Sequence, residues 1–112
     1  MNEVFMAQQI SVTALKELMD TGESVVLVDC REPDEHEFCS IPGARLIPLS
    51  EFENRAVKEI GREDQVFIHC HHGGRSLRAC EFLESQGYKK VANVTGGIDA
   101  WSTLVDTKVP RY

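Results

Sequence analysis

The chain has 112 residues, 42% apolar and 27% charged, with a formal net charge of −6. That length suits one domain around one core. The acidic balance argues against general nucleic-acid binding, which needs a basic face, and no apolar run approaches the roughly 20 residues that span a bilayer.

In chain order, Ser11 is placed to cap a helix whose Leu15, Leu18 and Met19 form one apolar stripe, with Gly22 at its end. Val25 to Val28 is a continuous apolar run, the pattern of a central parallel strand buried on both faces. Asp29 and Arg31 follow it, either tying down the next loop or standing as two solvated charges. Pro33 to Phe38 is acidic and predicts one or two helical turns, with Pro33 in the first position. Ile41-Pro42-Gly43-Ala44 is a turn. Arg45 to Pro48 reads as a short strand closed by its proline. Ser50 is expected to cap a helix carrying Phe52, Ala56, Val57 and Ile60, stopped by Gly61. Val66 to His69 is the next strand, and Arg75 to Gln86 has helical periodicity, ended by Gly87. Val91 to Val94 is a further strand, Gly96-Gly97 a turn, and Ile98 to Leu104 a last helix with Trp101 against the core. Strands alternating with helices predict an α/β domain with a mostly parallel sheet. Sites in such sheets lie at the carboxyl ends of strands, where Asp29, Cys70 and Thr95 fall.

Four cysteines stand at 30, 39, 70 and 80, widely spaced and without a Cys-x-x-Cys pair. Neither a zinc ribbon nor a thioredoxin-type motif fits, and four reduced thiols are expected, with no bound metal. Residues Met1 to Gln9 lack the basic and apolar regions of a signal peptide. A cytoplasmic, single-domain protein over residues 1–112 is expected, with its core at about residues 9–104 and a tail over 105–112.

Cys70 to Gly74 forms a glycine-bearing loop between a strand and a helix. N–H groups at a helix start have no intrahelical partner, and the helix dipole is positive there. A short glycine turn lets several such groups converge on one anion. A cysteine sulfur in that cradle is stabilised as thiolate, the reactive form, and Arg75 adds positive charge. Cys70 is therefore the candidate nucleophile. His71, His72, Gly73, Gly74, Arg75 and Ser76 supply the candidate cradle, whereas Cys80 reads as core. Such a cradle serves phosphoryl or arsenate chemistry, or sulfur transfer. Tyrosine-phosphatase-type loops follow Cys-x5-Arg; Cys70 to Arg75 is one residue shorter, a ring better matched to a persulfide than to a tetrahedral oxyanion.

Cys70-x-x-Gly73-x-Arg75 resembles the active-site loop of rhodanese-like sulfurtransferases. Val28-Asp29-Cys30-Arg31-Glu32, Glu37-Phe38, Ile41-Pro42-Gly43-Ala44 and Gly96-Gly97-Ile98-x-Ala100-Trp101 are similar to other landmarks of that family, in order. Cys39-Ser40 departs from the family's usual Gly-His. The tail from Trp101 to Tyr112 looks like the end of the rhodanese domain fused to E1-like adenylyltransferases, which load sulfur onto ubiquitin-like carriers. The resemblance implies a rhodanese-like fold: a five-stranded parallel sheet with helices on both faces. It implies no cofactor beyond a covalent persulfide on Cys70. Thiosulfate or another sulfane donor would supply the sulfur, and cyanide or a thiol would accept it. A thioredoxin-like or ubiquitin-like carrier protein is a candidate partner; nucleic acid and membrane are not.

Asp29 and Arg31 are then expected as a structural ion pair near the loop. Arg75 either faces the donor anion or turns back to pair with Glu37 or another carboxylate, and Glu37 joins Asp29 and Arg31 as candidate loop support. His71 and His72 either donate to thiosulfate oxygens or are exposed without an essential role. Three other readings stand beside sulfur transfer: a phosphatase or arsenate reductase, a regulatory or sulfur-relay module, and a thiol redox protein in which Cys30 or Cys39 resolves oxidised Cys70.

Overall fold

The computed structural model describes residues 8–112; the reading of a missing leader rests in part on residues 1–7, which lie outside them. In chain order the elements are β1 (Gln8–Ile10), α1 (Val12–Asp20), β2 (Val26–Asp29), α2 (Pro33–Phe38), β3 (Arg45–Leu46), α3 (Leu49–Glu59), β4 (Val66–His69), α4 (Gly74–Ser85), β5 (Val91–Val94) and α5 (Gly97–Leu104). The strands form one sheet in the order β1-β5-β4-β2-β3, every pairing parallel. The sheet expected from the alternation is therefore present.

Its two faces carry two apolar layers. Val28, Ile68, Phe52, Ala79, Cys80 and Leu83 pack beneath α3 and α4. Leu15, Leu27, Phe67, Val94, Ile98 and Trp101 pack beneath α1 and α5. Successive strand side chains point to opposite faces, and apolar residues on both faces explain the unbroken apolar runs of β2 and β4.

Local signals behave as their chemistry requires. The Ser11 hydroxyl accepts from the Ala14 N–H at 3.1 Å and starts α1. Among the differences from expectation are a helix start and an added strand. α3 begins at Leu49 behind Pro48, not at a Ser50 cap, because the Leu49 N–H donates to the Cys30 carbonyl at 3.0 Å and pins the helix start to the end of β2. β1 carries no alternating pattern in its three residues; pairing with β5 makes it a strand.

Candidate active site

The site is the loop from β4 to α4, at the carboxyl edge of the sheet. Cys70 follows His69 directly, and its residue is 2% exposed. The Gly73 N–H donates to Cys70 Sγ at 3.1 Å and the Ser76 N–H at 3.4 Å. The Ser76 hydroxyl lies 3.4 Å from the same sulfur, 3.2 Å from the Gly73 carbonyl and against Asn93 Oδ1; its one proton serves one of them at a time. Asn93, buried on β5, donates to the Gly73 carbonyl at 3.3 Å.

Two glycines give the loop its shape. Gly73 has a φ of +127°, which other residues rarely adopt. At Gly97 a Cβ would stand 2.3 Å from the Cys70 carbonyl oxygen and 2.5 Å from that of His71. That close approach lets the Ile98 N–H donate to Cys70 O at 2.9 Å and the Asp99 N–H to His71 O at 3.1 Å. The start of α5 thus anchors the loop's carbonyls, while N–H groups from the start of α4 face the sulfur. Gly74 has open space where its Cβ would be, so sterics do not demand glycine there.

A contact from the neighbouring strand sets the charge state of the sulfur. The neighbouring Cys30 thiol is the largest influence on it. Together with the Ser76 and Gly73 donors it outweighs burial and lowers the Cys70 pKa to about 4. The same contact, with burial, pushes the Cys30 thiol far up. The backbone donors face Cys70, and the lowered side of the pair falls there, which favours its thiolate at neutral pH.

Arg75 is a brace. Its Nη1 donates to Glu35 Oε1 at 2.7 Å and its Nη2 to Glu35 Oε2 at 2.9 Å. This corrects the choice of Glu37, which is exposed. Glu37 stands two residues beyond Glu35 on α2, about 200° around the helix. Arg75, then the Tyr112 hydroxyl, holds the Glu35 carboxyl down at about 2 against burial.

The expected pair of Asp29 and Arg31 is present and fully buried. Arg31 Nε donates to Asp29 Oδ1 at 2.9 Å and Nη2 to Oδ2 at 2.7 Å. Arg31 also donates to the Cys39 carbonyl at 2.7 Å and to the Tyr112 hydroxyl oxygen at 2.9 Å. His36 Nδ1 lies 2.8 Å from Asp29 Oδ2. Burial is the largest influence on the Asp29 carboxyl and works to raise it, but the Arg31 bonds, the nearby His69 and the His36 contact together hold it below the ordinary range.

Neither loop histidine is among the hydrogen-bond donors to Cys70 Sγ. The His71 ring stacks on Tyr112 at 4.0 Å and 12°, and His72 is exposed with its Nε2 3.8 Å from Asp99 Oδ2. His71, His72 and Asp99 bring one metal-ligating atom each within 4.8 Å of one another, but Arg111 already holds the Asp99 carboxylate at 2.9 and 3.3 Å. Thr95 is exposed and donates to Gln9 Oε1 at 3.0 Å.

Sequence reasoning did not single out Glu35, Asn93 or Tyr112 as site residues, and it left Cys30 open. One cue to Cys30 was available: Val28-Asp29-Cys30 and Ile68-His69-Cys70 place a cysteine at the same offset past two strands.

The family model for the rhodanese-like domain matches residues 11–104. A putative sulfur carrier protein of Bacillus subtilis, YrkF, is 43% identical over 84% of this chain and 50% of its own length. A sulfurtransferase of Allochromatium vinosum is 38% identical over 87% of this chain and 90% of its own length. The plant adenylyltransferase and sulfurtransferase MOCS3 of Arabidopsis thaliana is 30% identical over 93% of this chain and 26% of its own length. The chain spans half or less of the curated relatives at 43% identity. Among solved structures, a rhodanese-like domain protein of Staphylococcus aureus superposes with a TM-score of 0.81 at 28% identity, over 94% of this chain and 98% of that one.

Proposed function

The chain belongs to the rhodanese-like domain family, and from that premise we propose that it transfers sulfane sulfur through a persulfide on Cys70, with thiosulfate as the donor. The observation that carries the reading is the set of donors on one buried sulfur: the Gly73 N–H and the Ser76 N–H, with the Ser76 hydroxyl 3.4 Å away.

In the first half-reaction the Cys70 thiolate attacks the outer sulfur of thiosulfate. The S–S bond breaks, and sulfite leaves with the bonding pair. The enzyme now carries Cys70–S–S⁻. The cradle at the start of α4 holds that negative charge as it forms, a fixed electrostatic role. In the second half-reaction an acceptor nucleophile attacks the outer sulfur, and the Cys70 thiolate is the leaving group. Cyanide serves in the test tube; a cellular thiol or carrier protein serves in the cell. Arg75, held by Glu35, keeps the loop in shape and does not touch the donor. No cofactor or metal takes part. Two half-reactions on one nucleophile give ping-pong kinetics, with parallel initial-rate lines.

A protein acceptor is favoured by the rim of the site. Phe38, 58% exposed, meets the ring of Tyr112, 45% exposed, edge-on at 5.9 Å, and Tyr112 lies against His71. The sulfur carrier name of the Bacillus relative points the same way. The test is intact-mass spectrometry before and after thiosulfate, on wild type and Cys70→Ser. A gain of one sulfur on wild type alone, removed by cyanide, supports the reading. No gain on a folded wild type refutes thiosulfate transfer.

A further inference from the structure

Cys70 has a second thiol beside it that takes no covalent part in the sulfur-transfer steps. The parallel pairing of β2 with β4 runs Val26↔Val66 to Asp29↔His69. The Cys30 N–H donates to the His69 carbonyl at 3.1 Å and carries the ladder one residue further. Cys30 and Cys70 therefore occupy facing places on strands about 4.8 Å apart, within the Cα separation of about 4.4–6.8 Å that a disulfide needs. They also share a face: both belong to the layer beneath α3 and α4, with Val28 and Ile68 two residues before them.

The other cysteines are placed differently. Cys39 belongs to the layer on the opposite face, its sulfur 3.8 Å from Arg31 Nη1. Cys80 lies on α4 a turn beyond Ser76, and its side chain faces the core.

We propose that Cys30 is the resolving thiol of the site, closing an intrachain disulfide with Cys70 when a peroxide oxidises it. The Cys70 thiolate attacks one peroxide oxygen; the O–O bond breaks, hydroxide leaves, and Cys70–S–OH is formed. The Cys30 sulfur then attacks the Cys70 sulfur, and the S–O bond breaks. The Cys30 proton goes to the departing hydroxide as water. Two thiols lose two electrons in total, and one peroxide is reduced. A dithiol reductant restores both thiols. The disulfide removes the nucleophile while it lasts and shields Cys70 from the irreversible sulfinic and sulfonic acids. The strand register that sets Cys30 beside Cys70 thus also places the thiol that closes on it.

The experiment treats the full chain with hydrogen peroxide and no sulfur donor, so its outcome is independent of sulfur transfer. It uses wild type, Cys30→Ala and the double variant Cys39→Ala with Cys80→Ala, followed by alkylation under denaturing conditions, intact mass and peptide mapping. The expected result for wild type and the double variant is loss of two hydrogens, a peptide joining Cys30 to Cys70, and full recovery with dithiothreitol. Cys30→Ala, with its fold checked by circular dichroism and treated at a pH above the ordinary thiol range so that Cys70 is thiolate, should instead gain two or three oxygens on Cys70. Oxygen addition to Cys70 in the double variant without a disulfide would overturn the proposal. So would a wild-type disulfide joining Cys70 to Cys39 or Cys80.

Discussion

Glu35→Gln isolates the brace behind the loop, because the change keeps shape and removes one charge. Arg75 then loses a two-pronged carboxylate partner held at 2.7 and 2.9 Å. The fall of the Glu35 pKa from 4.5 to about 2 corresponds to at most about 3 kcal/mol. The Arg75 side chain is 36% exposed and that of Glu35 17%, so solvent screening reduces the pair to about 1–2 kcal/mol. The assay is urea unfolding of wild type, Glu35→Gln, Arg75→Gln and the double variant, analysed as a cycle. The sign with pH follows from a folded pKa below the unfolded one. The contribution is fully present above about pH 4.5 and is lost as pH falls towards 2. The gap between wild type and Glu35→Gln should therefore be constant near neutrality and close in acid. A coupling within about 0.5 kcal/mol of zero, or a gap unchanged down to pH 2, would refute the brace.

Cys30→Ala should raise the Cys70 pKa from about 4 towards the ordinary thiol range, because the largest stabiliser of the thiolate is gone. The pH profile of iodoacetamide alkylation, which reads the thiolate, should shift upward, and an unshifted profile would contradict the assigned influence. Gly97→Ala should destabilise the fold by more than about 2 kcal/mol and suppress persulfide loading, since its Cβ would meet two loop carbonyls at a φ of +58°; melting temperature and mass gain after thiosulfate measure both. Asp29→Asn leaves Arg31 buried without its counter-charge and should cost about 3–5 kcal/mol, read as a lower urea midpoint. The folded Asp29 carboxyl lies below its unfolded value, so its stabilisation is present above the ordinary carboxylate pKa and fades as pH falls below it.

The sequence by itself determined the strand-to-helix junction that carries Cys70. An apolar run followed by Cys70, Gly73 and a periodic helix admits little else, because strand and helix periods and glycine's φ freedom are local properties. It likewise determined α1, α2, α4 and α5, whose caps, prolines and apolar stripes lie within a few residues of one another; the spacing of Asp29 and Arg31 left their pairing open, and the fold buried them together. Only the tertiary structure decided the relations between distant segments. It chose Glu35 over Glu37 for Arg75, because helix phase relative to another element is not written in spacing. It brought Cys30 beside Cys70 through the register of β2 on β4. It set Asn93 and the start of α5 behind the loop, and it laid Tyr112, 77 residues from Glu35, across the rim. A thiolate at Cys70 needs donors that converge from several places in the chain, and local sequence patterns cannot show that convergence.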